Sequence, residues 1–140
     1  MKKIFLILLF FLSIINLSFS QTPHTIKVHY ILPKELEAGK KYDLPVSITN
    51  ILSSENTGTI DFEIINPKTN TSVDGWFLNI FPHQFFTGTP HKKFSTTFPF
   101  TVPANFKGKI KFIVKAECHG AVDSVVFSSF IKNNLSQNEE

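Results

Sequence analysis

The sequence predicts an all-β chain folded as an antiparallel two-sheet sandwich of about seven strands. Three observations predict it. Apolar residues recur at every second position in run after run. Gly, Pro, Asn and Asp fall between those runs at short intervals. After the leading residues, no stretch shows a sustained apolar repeat at helical spacing. A strand sends successive side chains to opposite faces, so such alternation makes one wet face and one dry face.

The N-terminus stands outside this pattern. Lys2 and Lys3 precede the apolar run Ile4 to Leu12, and Ser18 and Ser20 are small residues placed for a cut before Gln21. That is the layout of a secretory signal peptide. Spanning a bilayer takes about 20 predominantly apolar residues, and here Ser13 and Asn16 interrupt the run. No cysteine lies near the cut, which argues against a lipid anchor. The expectation is a cleaved leader over residues 1–20, a sandwich over 21–133 and a flexible polar tail over 134–140. The location expected is secreted or periplasmic, with the membrane involved only through the export signal.

The strands follow in order. Ile26, Val28, Tyr30 and Leu32 alternate with Lys27, His29 and Ile31. In "KYDLPVSITN", Tyr42, Leu44, Val46 and Ile48 share one face. "TIDFEII" groups Ile60, Phe62 and Ile64 against Asp61 and Glu63. "KFSTTFPFTV" aligns Phe94, Thr96, Phe98, Phe100 and Val102. "KIKFIVKAEC" aligns Ile110, Phe112, Val114, Ala116 and Cys118. The last strand, Ala121 to Ile131, is more evenly apolar and reads as covered on both sides. Its link to the preceding strand, His119-Gly120, is a two-residue spacer that predicts a tight hairpin. Pro45 and Pro99 cannot donate ladder hydrogen bonds, so their strands are expected to be edges there or to carry a bulge. Short strands of this number and spacing suit an immunoglobulin-like or fibronectin type III-like sandwich.

Charge excludes one class of partner. Fourteen lysines less Lys2 and Lys3 leave twelve against eleven acids, and arginine is absent. Without an Arg/Lys stripe there is no footprint for nucleic acid. Cys118 is the only cysteine, so an intrachain disulfide is impossible. A small apolar residue facing the core is the simpler reading; a bridge between two chains stays open.

Three stretches resemble a known family. "LEAGKKYDLPVSITN", "INPKTNTSVDGWFLNIFPHQFF" and "FSTTFPFTVPANFKGKIKFIVKAECHGAVDSVVFSSFIKN" are similar, in that order, to the start, middle and end of a macroglobulin-like β-sandwich domain of bacterial alpha-2-macroglobulins. The similarity runs from Leu36 to Asn133. The complete family protein is a secreted or periplasmic protease trap with a bait segment and a Cys-Gly-Glu-Gln thioester. Here Cys118 is followed by His119, Gly120 and Ala121, so the thioester motif is missing. The resemblance therefore implies a stand-alone module without the trapping chemistry.

The distinctive segment is "SVDGWFLNIFPHQFF", with Trp76, Phe77, Phe81, Phe85 and Phe86. Read as extended chain, it puts Trp76, Leu78 and Ile80 on one side and Phe77, Asn79 and Phe81 on the other. Large exposed apolar patches are rare on monomers, so burial of most of these rings is the expectation. One or two rings near Pro82 are left to reach a partner. His83, His91 and His119 are assigned to loops, and their spacing matches no metal-ligand signature. Cys118 and His119 are neighbours in sequence and point to opposite faces, a poor arrangement for a thiol and its base. Asp43, Asp61, Glu63 and Asp123 read as a solvated face. The lysines at 107, 109, 111 and 115 read likewise, guarding an edge.

No catalytic set, cofactor site or metal site assembles from these residues. The function expected is that of an exported, non-catalytic module that binds a protein at the cell envelope or outside the cell. Its contact would be an exposed edge strand or the loop Phe81 to His91, and the candidate binding residues are Trp76, Phe81, His83, Phe85 and His91. The alternative is a carbohydrate-binding or adhesive module, with Trp76, Phe81 and Phe85 as a stacking floor.

Overall fold

A computed structural model describes residues 26–133. The expected leader and its cleavage site, and the tail from 134 onward, lie outside the described residues. Among the described residues, nine strands make two sheets. They are β1 (Ile26–Tyr30), β2 (Glu35–Glu37), β3 (Lys41–Asn50), β4 (Asn56–Asn66), β5 (Thr71–Ser72), β6 (His83–Gly88), β7 (Lys93–Thr101), β8 (Gly108–Cys118) and β9 (Ala121–Lys132). The small sheet has the order β1-β3-β7. The large sheet runs β2-β9-β8-β4, with β5 and β6 both pairing along the outer edge of β4. Every long pairing is antiparallel; the short β2 lies parallel to β9. This is the sandwich architecture the alternation predicts.

The dry faces meet as expected. Leu44, Val46 and Ile48 of β3, Phe98 and Phe100 of β7, Ile60, Phe62 and Ile64 of β4, and Ile110, Phe112 and Val114 of β8 are all buried. Phe62 bridges the sheets, with ring centroids 5.3 Å from Phe98 and 5.9 Å from Phe112. The stack continues through Phe127 to Tyr30, whose rings lie 3.8 Å apart and nearly parallel. Aromatic pairs at such spacings add attraction beyond the area they bury. Cys118 is a free thiol inside this core. His119 (φ 48°) and Gly120 (φ 77°) make the two-residue hairpin turn, both left-handed.

Four expectations are corrected. The last strand is covered on one face only: Val122, Val126 and Phe130 stand in water, because no further layer packs on the outside of the large sheet. Pro99 sits on an edge strand, but Pro45 lies in β3, the middle strand of its sheet. Pro45 is tolerated because β1 leaves the ladder there. Tyr30↔Val46 is the last pair, and the Ile31 amide donates to the Pro45 carbonyl at 3.2 Å with no reciprocal bond needed. The lysines of β8 do form a wet face but guard no edge, since β8 is paired on both sides. Asp123 is more than solvated surface: its Oδ2 accepts the outward amide of Val28 at 2.8 Å, joining β9 to β1.

Candidate functional site

The segment after β5 does not run as extended chain. The Phe77 amide donates to the Val73 carbonyl at 3.0 Å and the Asn79 amide to the Asp74 carbonyl at 2.9 Å, so residues 73–79 wind into a compact turn. Leu78 has φ 53°, a left-handed conformation that disfavours residues with a Cβ. The predicted alternation nevertheless holds from Trp76 to Ile80 and fails at Phe81, which is exposed. Phe77 and Asn79 enter the interior, and Trp76 and Leu78 leave it.

Polar side chains fasten this turn to the edge of β4. Between the parts of that edge covered by β5 and by β6, the Val73 amide donates to Ile64 O at 2.8 Å. The Ile64 amide donates to Asp74 Oδ1 at 2.9 Å. Asn79 Nδ2 donates to Phe62 O at 2.9 Å and also to Asp74 Oδ1 at 2.8 Å. The Phe62 amide closes the series on Pro82 O at 2.8 Å. The loop thus supplies the hydrogen bonds a neighbouring strand would have made, leaving few of β4's buried polar groups unmet. Asn79 Oδ1 is the one buried side-chain polar atom without a partner among the described residues.

The aromatic cluster divides. Phe77 and Phe86 are buried in the core, as expected. Trp76 (49% exposed), Phe81 (60%) and Phe85 (77%) are not, and Leu78 (56%) and Ile80 (67%) join them. The expectation that most of these rings are buried is corrected. Trp76 rests edge-on against Phe77 and Phe106 at the rim of the core, with centroids 6.3 and 5.5 Å away. Phe85 and Phe86 are adjacent on a strand, so only one of them can face inward. That signal was present in the sequence.

The predicted loop Phe81 to His91 is also corrected, because its middle is the strand β6. His83 begins that strand instead of lying in a loop. Its Nδ1 meets Asp61 Oδ1 on β4, and its ring lies 5.1 Å from Phe85. On the next strand, Lys115 stands opposite Asp61 and pairs with Glu117 at 3.2 Å. His91 occupies the β6–β7 turn with φ 54°, just beyond Gly88, which pairs with Asn56, whereas Trp76 closely follows Val73, whose amide bonds Ile64. Eight residues of strand separate Asn56 from Ile64, about 26 Å. His83 and Phe85 are thus brought together, Trp76 and Phe81 share the neighbouring loop, and His91 belongs to the other end of the sandwich.

Chemically, the arrangement offers contact surface. The described residues contain no group of three or more His, Cys, Asp or Glu placed to hold a metal ion. A shallow depression of about 760 Å³ lies on the outer face of the small sheet, lined by His29, Ile31, Ser47, Lys93, Ser95 and Thr97 among others. None of the predicted binding residues lines it. Burial pushes the Cys118 thiol above its ordinary value of 9.0, the opposite of what a nucleophile needs. No helix among the described residues is long and apolar enough to cross a membrane.

No protein-family model and no curated protein matches the chain. Solved structures do share its fold. The sporulation control protein Spo0M of Bacillus subtilis aligns with 77% of this chain and 49% of its own, at TM-score 0.57 and 14% identity. Escherichia coli alpha-2-macroglobulin aligns with 77% of this chain and 7% of its own, at TM-score 0.58 and 9% identity. The CARDB domain of the PF1109 protein of Pyrococcus furiosus, solved in complex with di-metal ions, aligns over 77% of this chain and 86% of that one, at TM-score 0.56 and 12% identity. The chain spans less than half of Spo0M and a small fraction of the macroglobulin, and at these identities the likeness is one of fold alone. In fold, this chain is a β-sandwich similar to domains of these proteins, the macroglobulin among them.

Proposed function

We propose that this chain is an exported, non-catalytic module that binds a protein partner through the loop carrying Trp76, Leu78, Ile80 and Phe81. One observation carries the reading. Leu78 is held in a left-handed backbone conformation with its side chain mostly in water. Both features cost stability: the conformation disfavours a Cβ, and the exposed side chain gains no burial. Local strain of this kind belongs at contact and switch sites. The loop around it is stitched to β4, so its apolar side chains are pre-positioned, and a partner would bind with little further ordering.

Immobilised chain and a Leu78→Asp/Phe81→Asp variant, exposed to the same extracellular or envelope fraction, test the reading. Proteins captured by the unmodified chain and lost from the variant are expected. Identical capture by both would sink it. A glycan-binding reading draws on the exposure of Trp76, Phe81 and Phe85. Trp76 is the only tryptophan, so its fluorescence reports directly on stacking. A glycan panel that shifts Trp76 emission would favour that reading over the protein-binding one.

A further inference from the structure

Strands that border a sheet expose a row of main-chain donors and acceptors unless something covers them. Three borders here are covered at least in part. On β1, the outward Val28 amide is taken by Asp123. On β7, the outward Thr101 amide donates to Phe77 O at 2.7 Å, the Thr97 carbonyl accepts Gln84 Nε2 at 3.1 Å, and Pro99 has no amide hydrogen. On β9, the end Phe130–Lys132 is paired with β2, whereas the outward main-chain groups from Val122 to Ser128 have no hydrogen-bond partner among the described residues, and that stretch is tied to β1 through Asp123.

The strand β6 differs. The bond from the Phe62 amide to Pro82 O sets the phase of its ladder with β4. In an antiparallel ladder, bonded and non-bonded pairs alternate. Gln84, Phe86 and Gly88 therefore turn their main-chain groups toward β4, and His83, Phe85 and Thr87 turn theirs outward. None of those outward groups has a hydrogen-bond partner among the described residues. The usual protections are also missing, because "HQFFTG" contains no lysine, no proline and no carboxylate. Phe85, in the middle of this strand, is the most exposed large apolar residue of the large sheet.

We propose that β6 pairs antiparallel with β6 of a second copy of this chain, about a two-fold axis at Phe85. The outward residues are odd in number and centred on Phe85, so the strand is complementary to itself. His83 meets Thr87 of the second copy, Phe85 meets Phe85, and Thr87 meets His83. Each of these three pairs exchanges two main-chain bonds. No like-charged carboxylates or lysines face each other across the axis, which is the charge pattern self-pairing needs. The two Phe85 side chains become cross-strand neighbours on the outer face, and the two large sheets join into one. A contact limited to one edge buries little surface, so the association is weak and concentration-dependent. This pairing does not depend on the partner-binding loop, and failure of either reading leaves the other standing.

Sedimentation velocity on the purified chain, from about 1 to 500 μM, tests the pairing in the range where small interfaces associate. A monomer–dimer equilibrium is expected. Phe85→Lys places two lysines opposite each other and should weaken dimerisation about tenfold or more. Phe85→Glu should do the same, and an equimolar mixture of the two variants should recover the dimer. Position 85 is exposed, so neither variant threatens the fold. Val126→Lys, on the same face but on β9, should behave as the unmodified chain. A chain that stays monomeric throughout overturns the proposal. So does a dimer that withstands Phe85→Lys, or a mixture that fails to re-associate.

Discussion

Asp74 Oδ1 receives the Ile64 amide at 2.9 Å, so a carboxylate on a loop replaces the missing rung of a β-ladder. The same oxygen receives Asn79 Nδ2, and Asp74 Oδ2 receives the Ser72 hydroxyl at 2.8 Å. One side chain thus holds the strand edge, the turn and the far end of the loop. Asp74→Ala should cost about 1–3 kcal/mol, since it leaves a buried amide without its acceptor. Urea unfolding measures this. A loss below a few tenths would mean that the loop is not fastened there.

Leu78 offers the opposite test. Leu78→Gly relieves the left-handed strain, which costs a residue with a Cβ about 1–2 kcal/mol, while adding backbone entropy to the unfolded chain. A net gain of up to about 1 kcal/mol is expected from those two terms. If the loop binds a partner, the same variant should lose capture while its unfolding midpoint rises.

Glycine at 58 is required by space. A Cβ there would lie 2.2 Å from the Glu117 carbonyl oxygen and 2.8 Å from the ring of Phe86. Gly58→Ala should therefore destabilise by about 1–3 kcal/mol or more, as overpacking does. Gly75→Ala meets nothing within 4 Å and should change stability by less than about 0.5 kcal/mol. Thermal unfolding of the two variants side by side decides the contrast.

Neighbouring positions on β8 test the facing of the sheet. Phe112 is fully buried between Phe62, Phe100 and Phe127. Phe112→Ala should cost about 3–5 kcal/mol. Lys111 faces outward and makes only a 3.3 Å surface contact with Asn70. Lys111→Ala should cost less than about 0.5 kcal/mol. Equal losses would contradict the observed register.

Cys118 predicts a pH dependence. Burial raises its folded-state pKa above 9.0, so between the unfolded and folded values the folded chain holds the proton more tightly. This contribution to stability is complete below the unfolded pKa and is lost as pH rises through the folded one. Unfolding midpoints should fall above about pH 9, and fall less steeply in Cys118→Ala. The native thiol should also react slowly with a soluble disulfide reagent until urea exposes it.

Much of the fold was legible because alternation is local. Ile110 to Cys118 on β8 and Tyr42 to Ile48 on β3 declare their dry faces without reference to any neighbour. The candidate site was less legible. Trp76, Phe81 and Phe85 could be singled out by type, but their exposure could not be read from it. Asp74-Gly75 marked a turn, yet nothing local showed that Asp74 and Asn79 would reach across to Ile64 and Phe62. The alternation survives in that turn from Trp76 to Ile80, but Phe81, grouped by it with the buried Phe77, lies in water. His83 and His91 looked alike in sequence, and only the pairing of β6 with β4 sent them to different places.

By itself, the sequence determined the all-β class, most strand faces, the tight hairpin at His119-Gly120 and the lack of a thioester motif around Cys118. Each of these depends on residues close together in the chain, where side-chain period and turn preference suffice. Tertiary structure alone decided which strands are edges, where Pro45 is tolerated, which aromatic rings stay in water and which main-chain groups of β6 lack a partner. These depend on who lies beside whom. A hydrogen bond from residue 64 to residue 74, or from residue 28 to residue 123, exists only once the sheets have stacked.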